Sequence, residues 1–269
     1  MIDPAKSRIL ITGAAGEIGT ALRLGLRNHY RHLLLTDLRP VADVAPNETF
    51  IPADIADRAA LTAMMRGVDA LVHMTGVPAQ HTLEDLFRIN ARGVFDAFEV
   101  ARLAGVKRIV FASSNHAFGC YPLTTPVTPD APPRPDSFYG VFKVMGETVL
   151  RYYHDRHGID SVSLRIGTFR PQPIDQRSLA SWLSPRDAVQ LVDRSLRHPA
   201  PGCLVINAYS GNTRLKVRDP NWDFLGYHPQ DDAETYVDAL RAQRVDVDGP
   251  WEWHEHGGAF VHQPEKPTG

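Results

Sequence analysis

Short apolar runs separated by longer amphipathic stretches recur along this chain, and that alternation points to a parallel sheet covered on both faces by helices. Arg8–Thr12 reads as the first strand, His32–Asp37 as the second and Thr49–Pro52 as a weak third. Ala70–Met74, Arg108–Ala112, Val162–Ile166 and Leu204–Asn207 follow, with helical stretches near 17–29, 57–66, 84–104, 137–157 and 186–198. The expected class is α/β with a doubly wound parallel sheet. Segments 120–136 and 168–185 are rich in proline and polar residues and read as loops over the sheet's carboxyl edge, where such sheets bind ligands.

The 269 residues suffice for a full core and a small annex. Residues 1–166 are the expected sheet domain, to which the helix near 186–198 and the strand near 203–207 return. Residues 167–269 form a smaller, partly interleaved region expected to bind substrate, irregular beyond about residue 208. Charge is balanced, 29 basic against 31 acidic side chains, so neither nucleic acid nor a membrane surface is an expected partner. No apolar run approaches the roughly 20 residues that span a bilayer. The opening Met1–Lys6 lacks the pattern of a secretory signal, and a cytoplasmic protein is expected. Cys120 and Cys203 show no metal spacing and read as thiols. His254, His256 and His262 lack a carboxylate or cysteine at coherent spacing, so no metal is expected.

The first strand runs into Thr12-Gly13-Ala14-Ala15-Gly16-Glu17-Ile18-Gly19. Gly13 allows the tight turn, Gly16 lets a pyrophosphate approach the backbone, and Gly19 permits close packing of helix on sheet. The helix N-terminus then offers N–H groups and positive potential to phosphates, as in a Rossmann-type fold. The spacing is G-x-x-G-x-x-G, not the commoner G-x-G-x-x-G. A plain glycine turn is the alternative, and the strand before and helix after argue against it. Asp37, 18 residues after Gly19, can bind both adenine-ribose hydroxyls and repel a 2′-phosphate. NAD is therefore expected over NADP, although Arg39 nearby could accommodate that phosphate. Asp54 and Ile55 suit the adenine edge and ring face, unless Asp54 merely caps the next helix.

Lys143 stands four residues after Tyr139 on one helix, and Ser114 lies 25 residues before that tyrosine. A phenol ordinarily ionises near pH 10, too high for a base at neutral pH. An ammonium about 4 Å from a phenolate contributes roughly 4 kcal/mol at an effective dielectric of 20, or about three pKa units. Tyr139 could then take a proton from a substrate hydroxyl while hydride leaves the same carbon. Ser114, at the end of the fifth strand, would hold the substrate oxygen. Ser114, Tyr139 and Lys143 are the candidate catalytic residues.

The glycine loop, Ser114 and Tyr139-Gly140-Val141-Phe142-Lys143 together resemble the extended short-chain dehydrogenase/reductase family, which includes nucleotide-sugar epimerases. Within it the likeness is to dehydrogenases of hexuronic acids. It is carried by Phe111–His116, Arg134-Pro135-Asp136, Arg165–Thr168, Gln176–Trp182 and Gly257–Val261. The resemblance implies NAD contacts from Gly13, Ala15, Gly16, Glu17, Ile18, Gly19, Asp37, Asp54 and Ile55. It adds Met74, Thr75, Gly76, Asn90, Tyr139, Lys143 and Ile166. It implies substrate contacts from Ser114, Asn115, His116, Tyr139, Thr168 and Arg177, with Arg177 as a bidentate anchor for the substrate carboxylate. Thr168 stands where the family usually has serine. Pro78 also falls where a serine is expected and cannot donate its hydrogen bond, a role Gln80 could take over.

The implied reaction is oxidation of a uronic acid's anomeric carbon to an aldarolactone with NAD, by a homo-oligomer. A nucleotide-sugar epimerase or dehydratase is the alternative enzyme. Only 126 residues follow Lys143 to form a nucleotide site, and Asn115-His116 stand where a dehydratase would carry an acidic pair. A non-catalytic NAD sensor would ordinarily have lost the Tyr139/Lys143 pair.

Overall fold

Each of the seven apolar runs read as a strand forms one, and burial on both sides explains why those runs are continuous rather than alternating. The computed structural model describes residues 1–217 and 219–263. Its strands are β1 (Arg8–Thr12), β2 (His32–Thr36), β3 (Glu48–Phe50), β4 (Ala70–His73), β5 (Arg108–Ser114), β6 (Asp160–Ile166), β7 (Thr168–Phe169), β8 (Trp182–Leu183) and β9 (Cys203–Ala208). Seven make one parallel sheet in the order β3-β2-β1-β4-β5-β6-β9. The chain reverses direction across the sheet between β1 and β4, the switch point at which doubly wound folds bind dinucleotides.

Successive side chains of β1 enter opposite cores. Ile9 and Ile11 pack with Leu22 and Leu26 of α1 (Glu17–Leu26) on one face. Leu10 packs on the other face with Leu61 and Met64 of α2 (Arg58–Met64). The next helical region begins as α3 (Leu83–Asp85), widens into π-helical turns over Leu86–Gly93, and continues as α4 (Val94–Leu103). It shares the second face with α5 (Phe138–His157), whose Ser137 cap accepts from the Gly140 N–H at 3.2 Å and which ends at left-handed Gly158.

The span 168–185 is not the simple loop the sequence suggested. It holds β7, α6 (Ser178–Ser181) and β8, with Thr168 opposite Trp182 and Phe169 opposite Leu183. Two-residue strands are too short to show a period. The chain then returns to the first face as α7 (Pro185–Arg197), whose Leu191 and Leu196 join that core. After β9 come α8 (Asn221–Leu225) and α9 (Val237–Ala242), and Val237 and Leu240 form a separate small core with Leu179 and Trp182. The C-terminal segment folds back along residues 119–123: Leu123 N–H donates to the His254 carbonyl at 2.7 Å, and Gly257 N–H to that of Gly119 at 2.9 Å. Among the described residues no helix is long and apolar enough to cross a membrane.

Candidate active site

At the switch point the glycine loop and the ends of β2, β3 and β4 surround a cleft of about 200 Å³, lined by Gly13, Gly16, Asp37, Asp54, Ile55, Met74, Thr75 and Gly76 among others. Gly13 has φ +69°, and a methyl group built on Gly19 would lie 2.0 Å from the Gly13 carbonyl oxygen, so the helix can approach the turn only without a side chain there. The N-cap of α1 is Gly16, which has no side chain to satisfy the helix's first N–H groups. The Asp37 carboxylate accepts from the Ala15 N–H at 3.1 Å and the Arg39 N–H at 3.0 Å, which fixes it at the cleft. Arg39 donates to the Ala15 carbonyl at 3.0 Å. These features fit a dinucleotide: a backbone cradle for the pyrophosphate and a fixed carboxylate for the ribose.

Asp54 is not the helix cap. Asp57 caps α2 by accepting from the Ala60 N–H at 3.0 Å, while Asp54 accepts from Ala56 N–H and from Arg88, each at 2.9 Å. Ala15 and Glu17 face a groove toward α7 rather than this cleft. Asn90, in the π-helical turns, is buried and lines neither; its amide donates to the Val77 carbonyl at 2.7 Å and accepts from the Val77 N–H at 2.9 Å, holding the loop after β4 that walls the cleft.

The cleft continues past Ile18, Met74, Gly76 and Val77 into a pocket of about 310 Å³, where Ser114, Asn115, His116, Tyr139, Lys143, Ile166 and Arg177 meet, with Pro78 at its rim. Gln80 is exposed and not among its lining residues, so it does not replace a serine hydroxyl there. Ser114 ends β5, and its hydroxyl accepts from the His116 N–H at 3.2 Å. Lys143 donates to the Ala112 carbonyl at 2.7 Å and lies 5.2 Å from the centroid of the Tyr139 ring.

The ionisation differs from the expectation drawn from spacing. Burial pushes the Tyr139 phenol up to about 12, the Ser114 hydroxyl pulls it down, and Asp136 adds to the rise. Burial also pushes the Lys143 ammonium down to about 8. Removal from water therefore outweighs the pairing that the four-residue spacing suggested.

Two groups at this pocket carried no role in the sequence reading. Asp136 binds His116 Nδ1 at 2.6 Å with its side chain fully buried. Phe260 lies 4.3 Å from the His116 ring, centroid to centroid, and closes the pocket from the C-terminal segment. Both lie inside quoted motifs, but no local periodicity marks them. Arg177 donates to Thr168 Oγ1 at 3.3 Å and to the His256 carbonyl at 3.2 Å. Thr168 also bonds Ser181 at 2.7 Å; it braces Arg177 and is not among the residues that line the pocket.

A dinucleotide cleft opening onto a Ser/Tyr/Lys pocket defines a nicotinamide-dependent oxidoreductase. The chain belongs to the NAD dependent epimerase/dehydratase family, whose model matches residues 9–172. Beyond that shared region its similarity runs nearly end to end with uronate dehydrogenases. It is 42% identical to that of Pseudomonas putida over 95% of this chain and 96% of the relative. It is 38% identical to that of Agrobacterium fabrum over 96% and 97%. The crystal structure of the Agrobacterium tumefaciens uronate dehydrogenase, a tyrosine-to-alanine mutant complexed with NAD, superposes with a TM-score of 0.90 at 36% identity, covering 97% of this chain and 98% of that one.

Proposed function

We propose that this chain oxidises C1 of a hexuronic acid to the aldarolactone, with NAD as hydride acceptor. The observation that carries this reading is a guanidinium, Arg177, on the wall of the same pocket as Ser114 and Tyr139. A pyranose uronate with its anomeric hydroxyl at Tyr139 extends its carboxylate away from the reacting carbon, and Arg177 offers that group a planar fork. Ser114 holds the anomeric oxygen, and Tyr139 takes its proton as C1 gives up hydride and becomes the lactone carbonyl. Lys143 keeps positive charge beside the phenol at neutral pH, which favours the phenolate once substrate is aligned. The bound oxidised nicotinamide supplies the hydride acceptor and a second positive charge acting in the same direction. Asn115 and His116 bind ring hydroxyls, and the His116 ring is fixed by Asp136.

Gly13, Gly16 and Gly19 cradle the pyrophosphate, Asp37 binds the adenine ribose, and Asp54 and Ile55 bound the adenine. The chain acts as a homo-oligomer in the cytoplasm, and the association is supported by the exposed Phe95 and Leu103 on α4 and Val141 and Tyr152 on α5.

The test is NADH formation from galacturonate, glucuronate, the matching neutral hexoses and a UDP-sugar. Reduction is expected with uronates only, and Arg177→Ala should lower kcat/KM for uronates at least 100-fold more than for the neutral hexoses, about 3 kcal/mol for a charge-assisted pair. Conversion of the UDP-sugar alone would move the chain to the epimerases.

A further inference from the structure

Beyond Arg177 lies a cavity of about 530 Å³, larger than the pocket in which the uronate reacts. The two adjoin at Asn115, Arg177 and Phe260, which line both, whereas Lys143 lines the pocket alone. The oxidation of a free uronate leaves this volume unused. Resting on the uronate-oxidising reading, we propose that it is a subsite for a neutral glycosyl unit joined to O4 of the uronate. The enzyme then oxidises the reducing end of a 4-O-glycosylated hexuronic acid as well as the free acid.

The direction follows from the ring. C4 is across the pyranose from C1, and it neighbours C5, which carries the carboxylate. With C1 at Tyr139 and the carboxylate at Arg177, a substituent on O4 leaves the pocket past Arg177, between Asn115 and Phe260. The lining suits a sugar: the half-buried Trp251 and Trp253 offer aromatic surface to its C–H face, with polar groups between them.

Charge selects among possible occupants. Among the described residues, Asp175, Asp246, Glu252 and Glu255 line the cavity against the cations Lys216 and Arg177. The carboxylate of a pyranose uronate already engages Arg177. A second uronate, or the diphosphate of a nucleotide sugar, would add negative charge among those carboxylates, whereas a neutral hexosyl unit adds none.

The test compares purified enzyme and NAD on 4-O-glucosyl-glucuronate against glucuronate, and on 4-O-galacturonosyl-galacturonate against galacturonate. The neutral disaccharide is expected within tenfold of its monosaccharide in kcat/KM, and the diuronide more than tenfold below its own. Trp251→Ala should lower kcat/KM for the neutral disaccharide at least tenfold and leave free glucuronate within twofold, which also reports that the variant is folded. Free glucuronate turned over with the neutral disaccharide more than tenfold worse overturns the subsite alone. Equal losses for both substrates in Trp251→Ala, or a diuronide as good as its monosaccharide, overturn it as well. If no uronate of any kind is oxidised, the underlying reading fails and the subsite with it.

Discussion

Loss of water shifts two groups of the active-site pocket in opposite directions, the Tyr139 phenol up and the Lys143 ammonium down. Ser114, Tyr139 and Lys143 are found by local spacing, and the structure brings them together in one pocket. Their proton affinities depend on walls contributed from distant segments, so the spacing argument expected a lowered tyrosine and the structure has one pushed up to about 12. The buried ammonium has a stability consequence. The Lys143 pKa falls from its ordinary 10.5 to about 8 in the folded chain, a shift worth about 3 kcal/mol. Below pH 8 both folded and unfolded chains carry the charge, and only the folded one holds it out of water, so the penalty is fully present. Between about 8 and 10.5 the unfolded chain binds more protons than the folded one, and stability rises with pH as the penalty is relieved. Lys143→Met should therefore lose activity yet melt a few degrees higher at pH 7, part of the gain being offset by the lost bond to the Ala112 carbonyl. Thermal melts from pH 6 to 10 should show that advantage shrinking steadily above pH 8; an advantage that grows with pH would contradict the buried charge.

At the scale of elements, strands and long helices were legible because burial on two faces or one leaves a period in the sequence, whereas the pieces that shape the site were not. β7 and β8 are too short to show a pattern, and the π-helical turns over Leu86–Gly93 look like ordinary helix in composition. The docking of α5 was also hidden. Tyr139, Lys143 and Glu147 follow one another at four-residue steps, and Glu147 fastens the helix to the sheet: it accepts from Ser113 of β5 at 2.5 Å and from Arg165 of β6 at 3.0 and 2.8 Å. Arg165 and Glu147 are both buried. Removing one partner of such a pair leaves an uncompensated charge and costs about 3–5 kcal/mol, while replacing both with apolar groups can be nearly neutral. Glu147→Gln should thus lower Tm by about 10 °C, and Glu147→Leu combined with Arg165→Met should recover most of that loss. Melting curves of the single variants and the pair decide it, since simple additivity would mean the two groups do not act as one clamp.

At the scale of the whole molecule, the cofactor cleft and the substrate pocket are built from different parts of the chain. The cleft is lined by residues between Gly13 and Ile89, and short-range motifs announce most of it. The far wall of the pocket comes from the C-terminal segment, more than a hundred residues after Tyr139, and only resemblance drew attention to Gly257–Val261. That wall positions three groups at once: the His256 carbonyl accepts from Arg177, Phe260 packs on His116, and Gly257 lies against Asp136. A methyl group on Gly257 would fall 2.1 Å from Asp136 Oδ2, the oxygen that binds His116. Asp136 is buried and cannot swing away, so the segment must move off the site or the carboxylate must leave the imidazole. Gly257→Ala should lower kcat/KM for uronates at least tenfold. The Kd for NAD should change less than twofold, because no described residue of the C-terminal segment lines the cleft. Steady-state kinetics beside a direct NAD titration separate the two effects, and an equal loss in both would mean that the C-terminal wall supports the whole fold rather than the substrate pocket alone.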